Sequence, residues 1–227
     1  MIADNVRSVL DTIRETAVRS GRNPSEITIV AVTKNHSVHE IDQAIEAGIM
    51  HFGENRVQEA MGKIPSVIGS AVWHMVGHLQ SNKGKQAAIL FDWVDSVDSI
   101  KITDVLSNWS QKARKTLKVL IQVNITGEQT KSGILPCEVK NLVTYAMSRK
   151  GLDVCGLMTI GSFGVSPDVT RAEFSKMRNL FDTLRADNQV GSRMEILSMG
   201  MSDDYHIAVE QGATMVRIGT AIFGPRI

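Results

Sequence analysis

The segment TIVAVTKNHSVHEIDQAIEAG, residues 28–48, contains the unit from which the fold can be predicted. Its first part, Thr28–Thr33, is a short run of β-branched and apolar residues, as expected of a strand buried on both faces. In its second part, Val38–Ala47, the apolar residues recur with the period of an α-helix, and Ser37 and Glu40 have the spacing of an N-terminal capping box. A strand, a short loop and a helix are the first half of a βαβ unit, which predicts a parallel neighbouring strand.

The same alternation of strand and helix continues along the chain. The predicted strands are Thr28–Thr33, Met50–Gly53, Val72–Val76, Trp93–Val97, Lys118–Val123, Asp153–Ile160, Glu195–Met199 and Thr214–Ile218. The predicted helices are an opening helix at 2–19 and then Val38–Ala47, Arg56–Ile64, Lys83–Phe91, Ile100–Lys115, Glu138–Ser148, Val169–Ala186 and Asp203–Gln211. This pattern predicts an α/β fold, a single (β/α)₈ TIM barrel with an extra N-terminal helix over residues 1–227. Periodicity does not show closure, so an open doubly wound sheet is the alternative.

The composition argues against nucleic-acid and membrane partners. With 25 Lys and Arg against 24 Asp and Glu, the formal net charge is +1, so no broad positive field attracts polyanions. The apolar runs are far shorter than the ~20 residues that cross a bilayer, and the opening MIADNVRSVL does not have the pattern of a signal peptide. We therefore expect a cytoplasmic protein. We expect it to be a monomer, because no long apolar helix face calls for a partner.

The histidine and cysteine spacings predict no metal site. Cys137 and Cys155 do not have the spacing of metal ligands. His74 and His78 are four residues apart, but Gly77 and the strand-to-loop setting break the helical face that this spacing would need.

Lys34 follows directly on the first predicted strand. Barrel enzymes carry their reacting groups at the C-terminal ends of the strands. A lysine that is partly removed from water loses proton affinity, and its neutral amine can attack an aldehyde. An ordinary exposed loop lysine is the alternative.

The loops after the last two predicted strands are rich in glycine. They read LSMGMS at 197–202 and RIGTA at 217–221. In barrels these two loops often bind a phosphate through backbone N–H groups, and Ser202 and Thr220 add hydroxyl donors. The alternative is that the glycines form turns and Ser202 is the N-cap of a helix at Asp203–Gln211. Asp203 and Asp204 follow directly and would repel an anion unless they point away.

Arg217 is a lone charge on the eighth predicted strand. Because an unpaired buried guanidinium is very costly, it must have either a salt-bridge partner or a ligand. Asn55 and Arg56 follow the second predicted strand and are placed at the same end of the barrel by the same reasoning.

Eight segments of the chain, taken in order, match motifs of a known family. They are AVTK at 31–34, HFGENRVQEA at 51–60, WHMVGHLQSNK at 73–83, VDSVDS at 94–99, VNITGEQTKSG at 123–133, GLMTIG at 156–161, LSMGMSDD at 197–204 and VRIGTAIFG at 216–224. Over nearly its whole length the chain resembles the pyridoxal phosphate homeostasis proteins, the YggS/PROSC family. The resemblance implies a barrel similar to the N-terminal domain of bacterial alanine racemase, with pyridoxal 5′-phosphate (PLP) as the cofactor and a role in vitamin B6 homeostasis.

The resemblance also implies how the cofactor is held. Lys34 would hold PLP as an internal aldimine. Ser202, Gly219 and Thr220 resemble a phosphate cradle, with Met199 and Gly200 beside it.

Two further residues are implied to lie against the cofactor ring. Arg217 resembles the residue that faces the pyridine nitrogen, and Asn55 resembles a neighbour of the ring. An arginine in that position cannot give up a proton, so the pyridine nitrogen stays unprotonated and the cofactor is a weak electron sink. This argues against transamination.

Two functions of different classes are compatible with this likeness. The first is a carrier that buffers PLP and delivers it to PLP-dependent apo-enzymes by transient contact, without catalytic turnover of its own. The second is a PLP enzyme such as an amino-acid racemase, which needs a second base; alanine racemases take that base from a separate C-terminal domain. We expect no such domain after the barrel. Tyr145 falls in a helix far from the predicted site. Tyr205 follows the phosphate loop and is assigned to a surface or helix-packing role, with reach into the site as the alternative. The carrier is therefore favoured.

A class I aldolase-like barrel is a third possibility, in which a lysine forms a Schiff base with a sugar phosphate. Such a site needs further acid and base groups near the lysine, and the strand ends offer no carboxylate pair. Lys131 is a candidate for a second aldehyde-reactive lysine at the same end of the barrel. A solvated loop lysine is the alternative for Lys131.

Overall fold

Eight parallel strands close into a barrel in the computed structural model, which describes residues 1–225. The strands are β1 (Thr28–Val32), β2 (His51–Glu54), β3 (Val72–Met75), β4 (Trp93–Val97), β5 (Leu117–Val123), β6 (Leu152–Thr159), β7 (Ile196–Ser198) and β8 (Met215–Ile218). The barrel closes where β1 pairs in parallel with β8, with Val30 opposite Arg217. The predicted barrel is therefore confirmed and the open-sheet alternative is wrong.

The helices lie between the strands as the periodicity predicts. They are α1 (Ile2–Arg19), α2 (Val38–Glu46), α3 (Val57–Lys63), α4 (Gly84–Leu90), α5 (Ile100–Lys112), α6 (Val139–Met147), α7 (Pro167–Arg185), α8 (Tyr205–Glu210) and α9 (Thr220–Phe223). The extra helix α1 packs against α8 and α9, and the Asn5 side chain donates a hydrogen bond to the carbonyl of Ile222 at 2.9 Å. Helix α9 was not predicted, because four residues are too few to show a period.

The predicted capping box starts helix α2. The Glu40 carboxylate accepts a hydrogen bond from the Ser37 backbone N–H at 2.7 Å, and the Ser37 hydroxyl accepts one from the Glu40 N–H at 3.3 Å. The turn after the helix places Gly48 at a φ of 96°, which a residue without a Cβ adopts readily. This confirms the expected start and end of the helix.

The helix predicted at Asp203–Gln211 begins later, at Tyr205, and Asp204 is its N-cap residue. The carboxylate of Asp204 accepts a hydrogen bond from the Met201 N–H at 2.6 Å, which holds residues 201–204 as a turn ahead of the helix. The interpretation of Ser202 as the N-cap is therefore wrong.

Alternate residues of each strand face two different cores. On β1, Ala31 belongs to the large core between the strands and the surrounding helices, whereas Val30 belongs to a small core in the barrel interior. The small core consists of Val30, Val76, Trp93, Leu120, Met158 and Met215. This filled interior leaves the loops at the strand ends as the place for a ligand.

Two further features bear on the sequence predictions. Within residues 1–225, no helix combines the length and apolarity that crossing a membrane requires, and no group of His, Cys, Asp or Glu is arranged to bind a metal ion. Both cysteines are free thiols, and burial raises the pKa of Cys155 to about 12. Cys155 therefore stays protonated at neutral pH.

Candidate cofactor-binding site

Five of the residues singled out in the sequence line one cleft at the C-terminal ends of the strands. The cleft has a volume of about 190 Å³, and its lining includes Lys34, Ser202, Arg217, Gly219 and Thr220. They come together because β8 pairs with both β7 and β1, so the segments that follow these three strands are neighbours. The cleft is therefore built from the first and last strands of the barrel.

Lys34 is half-buried and lies two residues beyond the end of β1. Val32, the last residue of that strand, also lines the cleft. The next residue after the lysine, Asn35, has a φ of 64°, in the left-handed region that asparagine tolerates better than most residues. This turn changes the direction of the chain after β1, so Lys34 lies at the rim of the barrel.

Arg217 reaches the cleft from inside the barrel and is only 4% exposed. Its guanidinium donates to the Ser198 hydroxyl and to the Thr159 carbonyl, both at 2.7 Å. Burial lowers its pKa, and the charges of Asp95 and Asp204 oppose that shift. Because an arginine remains protonated in proteins, the cleft keeps a fixed positive charge at its base.

Backbone donors from the β8–α9 segment converge on one oxygen at the cleft. The N–H groups of Gly219 and Ala221 both donate to the hydroxyl of Ser202, each at 3.2 Å. Thr220, between them, is exposed and lines the cleft with its own hydroxyl. Two N–H groups directed at one oxygen position form the kind of arrangement that binds a phosphate oxygen.

This set of donors fits PLP. The Lys34 amine matches an aldehyde, the paired N–H groups and two hydroxyls match a phosphate, and the guanidinium of Arg217 can donate to a ring nitrogen. A Cβ built on Gly219 would lie 3.4 Å from the carbonyl oxygen of Val32, an ordinary contact. Packing within the protein therefore does not by itself require a glycine at this position.

Two acidic residues follow the loop after β7. Asp203 is exposed and lines the cleft, so it does not point away from it. Asp204 is half-buried, and burial raises its pKa while its hydrogen bond from Met201 and the charge of Arg217 act to lower it. The positive charge of Arg217 and the backbone donors offset the nearby carboxylate of Asp203.

Three of the predicted binding residues lie outside this cleft. Met199 and Gly200 are the first two residues after β7 and are buried. Gly200 has a φ of 93°, and an added Cβ would lie 2.5 Å from the Cβ of Ala208, so the site requires a glycine there. Asn55 lines a neighbouring cleft together with His78.

Lys131 also lines that neighbouring cleft. Its amine donates to the Glu128 carboxylate at 2.7 Å and to the Gly161 carbonyl at 3.1 Å. Tyr205 is buried on α8, and Tyr145 donates from α6 to Asp104 at 2.8 Å. Neither tyrosine is among the described residues that line the Lys34 cleft.

The sequence reasoning missed three residues that complete the cleft lining: His36, Phe163 and Met201. His36 stacks on Phe223 with ring centroids 4.5 Å apart, and its Nδ1 lies 3.0 Å from the Glu40 carboxylate. Phe163 is 70% exposed and lines both the Lys34 cleft and the Lys131 cleft. Its presence after β6 in a glycine-containing loop was the available signal, since large exposed aromatic residues often mark a ligand surface.

Comparison with known proteins agrees with the motif resemblance. The family model for the alanine racemase N-terminal domain matches residues 4–226. A pyridoxal phosphate homeostasis protein of Pseudomonas aeruginosa is 39% identical over 226 residues, which cover 99% of this chain and 96% of that protein. One of the same name from Escherichia coli is 39% identical over 229 residues, covering 99% of this chain and 97% of that protein.

A solved structure shows the same likeness. PipY of Synechococcus elongatus, solved with PLP bound, superposes with a TM-score of 0.82 at 34% identity, covering 99% of this chain and all of PipY. Sequence, fold and length therefore agree over nearly the whole chain. The chain belongs to the pyridoxal phosphate homeostasis protein family, whose barrel is the one named after the N-terminal domain of alanine racemase.

Proposed function

We propose that this chain binds PLP covalently through Lys34 and serves vitamin B6 homeostasis by buffering the cofactor or delivering it to apo-enzymes, without catalytic turnover of its own. The observation that carries the proposal is the single cleft that brings together the Lys34 amine, the Gly219 and Ala221 N–H groups and the Arg217 guanidinium. The family name and the PLP-bound PipY structure support the identity of the ligand.

Bound PLP supplies an aldehyde that forms a reversible Schiff base with a lysine amine. In this chain Lys34 provides the amine. The N–H groups of Gly219 and Ala221, with the hydroxyls of Ser202 and Thr220, hold the phosphate. The Ser202 hydroxyl, which now accepts from both N–H groups, adds a donor of its own toward the anion.

Arg217 supports a carrier over a transaminase. Its guanidinium is always protonated and can only donate, so it leaves a ring nitrogen facing it as an unprotonated acceptor. The buried bonds to Ser198 and Thr159 fix the guanidinium in place. An unprotonated ring withdraws electrons weakly, which disfavours breaking bonds next to an amino-acid nitrogen.

The groups around Lys34 also support the absence of racemase turnover. Racemisation needs an acid or base on each side of the substrate carbon. Among the residues that the structure describes at the cleft there is no tyrosine that could serve as a second base. Tyr205, the tyrosine nearest in sequence to the phosphate loop, is buried among the helices.

An absorption spectrum tests the lysine assignment. Protein loaded with PLP should show a band near ~420 nm that borohydride removes, as expected of a lysine Schiff base. The Lys34→Ala variant should lose the band, whereas Lys131→Ala, which changes another lysine at the same end of the barrel, should keep it. A band that survives in Lys34→Ala would overturn the assignment.

A transfer assay tests the carrier role. The PLP-loaded protein is mixed with an apo-enzyme, and recovery of the enzyme's activity is compared with the spontaneous release of PLP into a trapping reagent. Recovery faster than release supports delivery by contact. Recovery at the release rate supports buffering alone, and amino-acid racemisation by the PLP-loaded protein would contradict the claim of no turnover.

A further inference from the structure

A salt-bridged cluster lies behind the turn that carries Lys34. It consists of Glu54, Glu59 and Lys63, and we call it the turn clamp. The Lys63 amine lies 2.9 Å from the Glu54 carboxylate at the end of β2 and 2.6 Å from the Glu59 carboxylate one turn earlier on α3. Glu59 lies within the motif at 51–60 and Lys63 lies outside the motifs, but neither residue has been given a role and neither lines the Lys34 cleft.

The turn clamp holds the backbone on both sides of Lys34. On the N-terminal side, the Lys63 amine donates to the Thr33 carbonyl at 2.7 Å. On the C-terminal side, the Asn35 N–H donates to the Glu59 carboxylate at 2.6 Å. The two peptide units that flank the lysine are thus bound by one cluster from a neighbouring strand and helix.

The turn needs such support because of its conformation. Asn35 has a φ of 64°, a region that costs a residue with a Cβ free energy unless neighbouring contacts favour it. The hydrogen bond from the Asn35 N–H to Glu59 is charge-assisted, and such bonds are stronger than neutral ones. Without the bond from the Asn35 N–H to Glu59, the turn would populate other conformations as well.

The inner part of the turn clamp is buried, which couples its members. Glu54 is 0% exposed, and its Oε1 accepts from the Thr33 hydroxyl at 2.6 Å as well as from Lys63. Its Oε2 has no hydrogen-bond partner within residues 1–225. Burial raises the pKa of Glu54, and the bonds from Thr33 and Lys63 act against that rise. Lys63 therefore supports both Glu54 and the Thr33 carbonyl at once.

We propose that Glu59 and Lys63 are positioning residues that set the Lys34 amine for reaction with PLP. This inference rests on the proposed function, because it assumes that Lys34 is the reacting lysine. The clamp does not touch the cofactor cleft; it acts through the peptide units before and after the lysine. Weakening it should leave the barrel folded while spreading the position of the amine.

The test uses Glu59→Ala and Lys63→Met in the full chain. Matched controls are Glu46→Ala, an exposed glutamate on α2, and Lys140→Met, whose ion pair with Asp187 on the surface is 2.7 Å long. Glu59→Gln keeps an acceptor oxygen for the Asn35 N–H and serves as the conservative variant. The measurements are the dissociation constant for PLP, the hydrogen exchange of the Asn35 amide without PLP, and the thermal midpoint.

Loss of a charge-assisted hydrogen bond predicts an about ten-fold weaker PLP affinity and about ten-fold faster Asn35 exchange in Glu59→Ala. Lys63→Met should show at least as large an effect, Glu59→Gln should recover most of the affinity, and both controls should match the wild type. If Lys63→Met does not fold, the comparison of Glu59→Ala with Glu59→Gln decides. Unchanged Asn35 exchange, or faster exchange with unchanged affinity, overturns the proposal. If the wild type itself takes up no PLP, the proposed function fails, and the exchange data alone decide whether the clamp holds the turn.

Discussion

Two of the buried polar clusters in the barrel differ in what their donors face. The first cluster, which we call the histidine chain, consists of His51, His74 and Asp95. His51 Nδ1 lies 3.0 Å from His74 Nε2, and His74 Nδ1 lies 3.0 Å from the Asp95 carboxylate. Both His74 and Asp95 are 0% exposed. From His51 Nδ1 to the Asp95 carboxylate, the polar atoms of this chain are therefore paired with one another.

The second cluster, which we call the upper cluster, is built around Arg217 and opens onto the Lys34 cleft at the C-terminal ends of the strands. Its backbone donors at Gly219 and Ala221 share the single hydroxyl of Ser202, and its guanidinium is held by uncharged acceptors. An anion that enters the cleft meets this cluster and the charge of Arg217, whereas none of the three residues of the histidine chain lines the cleft. From this comparison we propose that the upper cluster binds the ligand and that the histidine chain contributes to stability.

The largest expected effect comes from breaking the histidine chain. His74→Ala leaves the Asp95 carboxylate buried without its hydrogen-bond partner and removes the stacking on Trp93, so the free energy of unfolding should fall by about 3 kcal/mol or more. Urea denaturation measures this loss. The affinity of the folded variant for PLP should change less than about three-fold, because His74 does not line the Lys34 cleft and Asp95, which acts on Arg217, keeps its charge.

The control for this prediction is His39→Ala, since His39 is an exposed residue on α2. It should change neither stability nor affinity. A His74→Ala variant that remains as stable as the wild type but no longer binds PLP would reverse the assignment of the two clusters.

The next effect is a pH dependence of stability that belongs to His51. Burial and the neighbouring His74 lower the pKa of His51 to about 4, against its ordinary value of 6.5. Between these values the unfolded chain binds a proton that the folded chain does not, so stability falls as the pH falls from about 6.5 to about 4. After allowance for the partial exposure of His51, the loss is about 2 kcal/mol.

This contribution can be isolated with His51→Gln, which does not titrate. The difference in unfolding free energy between the wild type and this variant should shrink or change sign across that pH range. Parallel curves for the two proteins would show that His51 is not held neutral in the folded state.

The smallest effect separates two serines with different tasks. Ser202→Ala removes the hydroxyl that contacts Gly219 and Ala221, so PLP affinity should fall a few-fold, about 1 kcal/mol. Ser37→Ala removes the N-cap of α2 and should lower stability by about 1 kcal/mol without changing affinity. Calorimetric titration and thermal unfolding of both variants provide the comparison, and a Ser202→Ala protein with wild-type affinity would count against the phosphate cradle.

Sequence periodicity sufficed to predict the strands and helices because each carries its own local pattern, whereas the closure of the barrel was shown by the pairing of β1 with β8. The capping box at Ser37 and Glu40 is an example, since both partners lie within four residues. Ser202 shows the limit of such reasoning: its local context suggests an N-cap, but its hydrogen bonds go to residues 219 and 221 on another strand's loop. Partners that are distant in sequence have no local signature.

The residues of the candidate site also divide into those with a local sequence signal and those without one. Lys34 and Arg217 could be placed at the strand ends from the pattern alone, and the motif resemblance supplied an expected role for each. Lys63 could not be found in this way, because its link to the turn of Lys34 depends on how α3 packs beside β1. The sequence reasoning placed Asn55 at the correct end of the barrel. In the structure, however, Asn55 lines the cleft that contains Lys131.

The most direct test of the account is to identify the lysine that carries PLP. The PLP-loaded protein is reduced with borohydride and digested, and the modified peptides are mapped by mass spectrometry. The account predicts that, at substoichiometric PLP, the modified peptide is the one that contains Lys34. The Lys34→Ala variant, treated in the same way, should give no comparably modified peptide. Modification found chiefly on Lys131, or spread over surface lysines, would contradict it.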